Sequence, residues 1–177
     1  TKWTKDGGAV LKLTGDEANT YSGVFEQHNG TTRLSKSDNF AGNGGGALNG
    51  DVFLSQGTIA NADDGGAASG STGSEQIVDT ATVVFGNDGR LATWNFNNNT
   101  ETIQYFGGGN DNDTLDFGNG GFTGTNLNIG AGTTEDMAFD GRMRRDGSIN
   151  FDGTGMFTLT GTDQDNGTTH IDLNINT

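Results

Sequence analysis

A chain of 177 residues with 32 glycines, no proline, no cysteine and a formal charge of −14 excludes several protein classes at once. Disulfides and thiolate metal sites are impossible. The 23 acidic side chains against nine basic ones repel phosphate backbones and anionic membrane surfaces, so nucleic acid is not an expected partner. No run approaches the roughly 20 apolar residues of a membrane span. Hydrophobic residues make up 30% of the chain, a supply that suits thin layers of sheet better than a helical bundle.

Apolar residues recur with period two, the mark of half-buried strands. Leu11 and Leu13 flank Lys12, which places that lysine on the outer side. Tyr21–Gln27 and Thr31–Leu34 are separated by Asn29-Gly30. Glycine-rich loops follow at 41–46 and 61–74. The second marks a flexible segment or a sub-boundary inside what otherwise reads as one β domain over 1–177. Thr82–Phe85 and Leu91–Phe96 flank Asn87-Asp88-Gly89, with Trp94 and Phe96 together on the core side. Ile103/Tyr105 and Leu127/Ile129 continue the alternation. Met137–Arg144 and Ile149–Phe151 flank Asp146-Gly147, and Phe157–Thr160 and Ile171–Ile175 flank Asn166-Gly167. Asn-Gly and Asp-Gly supply the positive φ angles of two-residue hairpin turns. The expected fold is therefore all-β with little or no helix: an antiparallel meander of hairpins forming a β-sandwich or a closed β-barrel.

Phe-x-Gly occurs at Phe40, Phe106, Phe122, Phe139 and Phe151. Its spacing is irregular, so no solenoid repeat is read from it. An aromatic ring covering a glycine where a sheet bends accounts for the pairing.

Two acidic loops are candidate calcium sites. Gly107-Gly108-Gly109-Asn110-Asp111-Asn112-Asp113-Thr114-Leu115 resembles the glycine-aspartate nonapeptide of RTX-type secreted proteins, although Asp111 stands where that family has its third glycine. The resemblance implies calcium between the turns of a parallel β-roll. This chain has one copy, and a roll stacks several. Asp163-Gln164-Asp165-Asn166-Gly167 through Asp172 begins like an EF-hand loop, but its glycine comes one place early and no glutamate closes it. The candidate ligands for Ca2+ are Asp111, Asp113, Asp116, Asp163, Asp165 and Asp172.

No catalytic set is read. His28 and His170 are the only histidines, and no Gly-x-Ser-x-Gly elbow occurs. The expected function is a non-enzymatic extracellular, cell-surface or virion domain of structural or adhesive type. Expected partners are other copies of the chain, surface or virion proteins, or a glycan. A small barrel that binds a ligand or host protein is the first alternative. Val83–Leu91 resembles hairpins of flagellar hook outer domains, and Phe139–Gly155 resembles late strands of transferrin-binding-type lipoprotein barrels. A calcium-assisted carbohydrate-binding module is the second alternative, with Trp3, Trp94, Tyr21 and Tyr105 available for stacking.

Overall fold

The computed structural model describes residues 1–36, 46–61, 75–97, 99–118, 125–161 and 171–176. The chain winds through these as a β-solenoid. The first three coils contribute β1 (Lys2–Lys5) and β2 (Val10–Gly15), β3 (Val24–Gln27) and β4 (Thr31–Lys36), then β5 (Val52–Leu54) and β6 (Gly57–Asn61). The next three have a third strand each: β7 (Thr82–Phe85), β8 (Ala92–Asn95), β9 (Glu101–Ile103); β10 (Tyr105–Gly108), β11 (Thr114–Asp116), β12 (Asn126–Ile129); β13 (Met137–Phe139), β14 (Arg142–Arg144), β15 (Gly147–Phe151). β16 (Phe157–Leu159) and β17 (Ile171–Ile175) belong to the last.

Like strands stack into three faces. The first face runs β1-β3-β5-β7-β10-β13-β16, the second β2-β4-β6-β8-β11-β14, and the third β9-β12-β15-β17. In the earlier coils the third face is represented by a single parallel bridge between Leu48 and Ile77. No helix occurs among the described residues, and so none long and apolar enough to cross a membrane.

Every strand pairing among the described residues is parallel, which overturns the antiparallel meander, the sandwich and the barrel. The turn residues are where the sequence puts them, but they make corners. Asn29-Gly30 carries β3 of the first face into β4 of the second, and Asn87–Gly89 carries β7 into β8. Asp146-Gly147 passes from β14 of the second face to β15 of the third; Asn166-Gly167 lies outside the described residues. A positive φ bends the backbone in either setting, so the dipeptide does not say whether the next strand folds back or moves to a new face. Gly30 has φ 73°, and a Cβ there would collide with the carbonyls of Gly7 and Ala9 in the coil below. The stack is too close at this corner for any other residue.

Side chains of one column sit above one another at the strand spacing of about 4.8 Å. The inward column Trp3–Phe25–Val52–Val83–Phe106 is in register through five coils. Its neighbour runs Gln27–Leu54–Phe85–Gly108–Phe139–Leu159. The rings of Phe85 and Phe139, two coils apart, have centroids 5.4 Å apart, and Gly108, in register between them, is exposed with its Cβ direction aimed at the Phe85 carbonyl. Phe106 packs against both, at 5.9 and 5.0 Å. Trp94 and Phe96 are fully buried, and Phe96 stacks on Phe117. Phe106, Phe139 and Phe151 of the Phe-x-Gly pairs are core residues, while Phe40 and Phe122 lie outside the described residues. The Phe139 ring occupies the space a Cβ on Gly141 would need, so an aromatic does cover its glycine there. Lys12 is exposed between the inward Leu11 and Leu13, as the alternation predicts.

Gly108→Ala is expected to destabilise the chain beyond the backbone effect alone. Gly108 has φ 81° and faces the Phe85 carbonyl, whereas Gly132 has φ 76° and open space around it. Gly132→Ala should cost about 1–2 kcal/mol for the left-handed backbone, and Gly108→Ala about 1–3 kcal/mol more for overpacking. Equal midpoint shifts for the two variants in denaturant melts would refute the packing account.

Candidate functional site

The outward residues of the first face shrink along the solenoid. Phe53 and Val84 are in register, and the next positions in their column are Gly107 and Ala138, then Thr158. The loss of side-chain volume leaves a groove of about 380 Å³ across the later coils. Tyr105 walls it and leans across Gly107, its ring 3.3 Å from where a Cβ on that glycine would lie. Met156 is at its rim and is 63% exposed, a large apolar side chain that the fold itself does not use.

Polar groups complete the lining. Asp136 Oδ1 accepts the Met156 amide at 2.8 Å. Asp140 Oδ1 accepts the Thr160 hydroxyl at 2.9 Å, and the Asp140 amide donates to the Gly108 carbonyl at 3.1 Å. Each carboxylate is thus fixed through one oxygen, its Oδ1. Asn87 and Thr158 add an amide and a hydroxyl, and no basic side chain is among the lining residues. The groove thus sets an apolar wall, Tyr105 and Met156, beside immobilised carboxylate acceptors, Asp136 and Asp140.

Of the aspartates read as calcium ligands, Asp111, Asp113, Asp116 and Asp172 do not line this groove. Asp111 is exposed on the turn after β10. Asp113 is buried at the corner: Oδ1 accepts the Ala92 amide at 2.8 Å, and Oδ2 accepts the Asn110 amide at 2.9 Å and its Nδ2 at 2.8 Å. Asp116 Oδ1 accepts Arg145 Nη1 at 3.0 Å and the Gly118 amide at 3.1 Å. Asp172 is exposed on β17, beside Ser148. Asp163 and Asp165 lie outside the described residues. Among the described residues no group of three or more histidine or acidic side chains is placed to hold a metal. His28 pairs with Glu26 at 2.9 Å on the outer surface.

A buried acid went unread in the sequence. Glu101, fully buried, accepts hydrogen bonds from Asn61 Nδ2 and from the amides of Gln76 at 2.7 Å and Ile77 at 3.2 Å. Asn61 Oδ1 in turn accepts Trp94 Nε1 at 3.2 Å. Nearby, Glu75 accepts the amide and hydroxyl of Thr102. Together these groups anchor the start of the continuous third face. The signal was present: Glu101 has the parity of Ile103, the inward side of β9.

No family model, characterised protein or solved structure matches the chain. The fold and groove define its class on their own: a parallel β-solenoid with a ligand-sized trough on one face.

Burial gives the chain an unusual pH dependence. It pushes Asp113 up to about 6, Glu101 well above its ordinary value, and Glu75 and Asp79 upward too, Glu75 helped by the charge of Asp79. A carboxyl whose folded pKa exceeds its unfolded value binds its proton more tightly when folded. Stability therefore increases as pH falls through the folded value and is lost again as pH rises through it. Lys2 bonding holds Glu26 down, and backbone and Ser55 hydrogen bonds hold Asp88 down, but both are surface groups that act at lower pH. Thermal melts should show Tm rising from pH 8 to pH 5, with a smaller rise in Asp113→Asn. A Tm that falls over this interval would show that the buried carboxyls do not control it.

Proposed function

We propose that the chain is a non-enzymatic, extracellular structural and adhesive module, a stiff solenoid segment whose first face holds a neutral glycan. The groove beside Tyr105 carries this reading. A sugar ring presents an apolar C–H face to an aromatic wall and hydroxyl donors to fixed carboxylate oxygens, and Tyr105 with Met156 and Asp136 with Asp140 supply those two halves. The missing basic side chains and the charge of −14 argue for a neutral ligand over an acidic polysaccharide. The stacked sheets support the structural part, since each coil rests on its neighbours and resists bending as a unit.

Binding to a panel of neutral oligosaccharides and to a uronic-acid polymer, measured by calorimetry in calcium and in EDTA, tests the proposal. Binding is expected for a neutral member and not for the uronate. Tyr105→Ala should weaken it at least tenfold, as loss of a central aromatic anchor does (~1.4 kcal/mol or more). No new reducing ends should appear on incubation. Undiminished affinity in Tyr105→Ala would remove the groove from the account.

A further inference from the structure

The corner at Asn29-Gly30 gathers two buried donors on one backbone oxygen. Lys5 and Gln27 are in register on β1 and β3, and both side chains are buried. Gln27 Nε2 donates to the Asn29 carbonyl at 2.8 Å, and Lys5 Nζ donates to the same oxygen at 3.1 Å. Lys5 Nζ also donates to the carbonyls of Gly7 at 2.6 Å and Asp6 at 3.3 Å, and Gln27 Nε2 to that of Gly30 at 3.0 Å. Thr32 holds the Gln27 amide in this sense, its hydroxyl donating to Oε1 at 2.6 Å. The corner is interior to the stack, with Gly30 between Gly7 and Ala9 of the coil before and Gly57 of the coil after.

The Asn29 carbonyl and the Gly30 N–H belong to one peptide unit. When that nitrogen loses its proton, negative charge gathers on the carbonyl oxygen, and fixed donors there, one of them cationic, stabilise it. The proton itself points at Asn29: the Gly30 amide donates to Asn29 Oδ1 at 2.7 Å. Deprotonation therefore uncovers a lone pair aimed at the Asn29 side-chain amide. Glycine adds no side chain to obstruct the approach, and Asn29 is exposed to solvent.

We propose that Asn29 is a self-modifying residue, which closes a succinimide ring with the Gly30 nitrogen and loses its side-chain amide as ammonia. Solvent base takes the Gly30 amide proton, and the nitrogen bonds to Asn29 Cγ. The Cγ–Nδ2 bond then breaks, and ammonia leaves with a proton from water. Water opens the ring at either carbonyl, leaving aspartate or its β-linked isomer at position 29. Lys5 and Gln27 act on the nitrogen through the carbonyl oxygen and are positioning residues. The β-linked product lengthens the backbone at a corner where even a Cβ on Gly30 would collide with two carbonyls. This goes beyond the glycan reading and does not depend on it.

The described residues hold one other Asn-Gly pair, Asn49-Gly50, where the side-chain amide is instead tied to the Asn19 carbonyl. It serves as an internal control. The test is incubation of the chain in heavy-oxygen water, folded and in urea, with peptide mapping by mass spectrometry over time. In the folded chain Asn29 should convert at least about tenfold faster than Asn49, and faster than Asn29 itself does in urea, since one oxyanion-stabilising donor is worth about 10²–10³ in rate. In urea the two rates should converge. Lys5→Met should slow Asn29 at least about tenfold in a chain whose circular dichroism is that of the folded protein, and Lys5→Arg, which keeps a cationic donor, should restore most of the rate. The comparison of folded and urea-treated wild type stands even where a variant does not fold. A folded-state rate at Asn29 no greater than in urea, or no greater than at Asn49, would overturn the proposal, as would a folded Lys5→Met chain that reacts at the wild-type rate.

Discussion

The structure depends on one constraint: each inward side chain must fit the residues directly above and below it, at a spacing of about 4.8 Å. In a packed globular core a misfit can be shared among many neighbours. Here it is confined to one column. The Phe85–Gly108–Phe139 column shows one solution, a glycine in register between two large residues whose rings pack with centroids 5.4 Å apart. The same constraint admits polar groups only when a neighbouring coil satisfies them. Glu101 is tolerated because donors from the preceding coil, Asn61 and the Gln76–Ile77 backbone, converge on it. Removing its carboxylate would leave buried donors without an acceptor, the expensive side of hydrogen-bond energetics.

The sequence made the strands legible and hid their partners. Period-two alternation identifies most inward residues from Leu13 to Phe151, including Trp94 and Phe96, but it groups Tyr105 with Ile103, and Tyr105 faces outward on β10. Pairing direction is another matter. A corner and a hairpin both ask for Asn-Gly, and distance along the chain decides between them only when coils have equal length. These do not: Thr114 follows its partner Thr93 by 21 residues, while Thr93 follows Thr58 by 35. Such scatter erases the repeat that would have announced a solenoid. The clearest hint was the glycine-aspartate stretch from Gly107 to Leu115. It resembles a parallel roll, and it does form the corner between β10 and β11 of a parallel stack. The groove was less legible. Tyr105 reads as a stacking residue, but its wall and floor come from Ala138 and Met156, residues the solenoid brings beside it from later coils.

Composition follows from the stack as well. In parallel, in-register sheets every outward residue has its own column above and below it, so a charged column would place like charges side by side. The second face has Thr31, Thr58, Thr93 and Thr114 in one outward column, although Lys12 and Arg33 are neighbours in the next. The third face uses Thr102, Asn128, Asn150 and Asn174, with side-chain hydrogen bonds of 3.2, 2.7 and 2.8 Å from each coil to the one before. Asparagine has both a donor and an acceptor, and so can pair with a copy of itself on either side. Among the described residues Asp88 and Asp111 lie at corners, and Asp136 and Asp140 at the groove. A chain with 18% charged residues and abundant Asn, Thr and Gly is what this geometry requires.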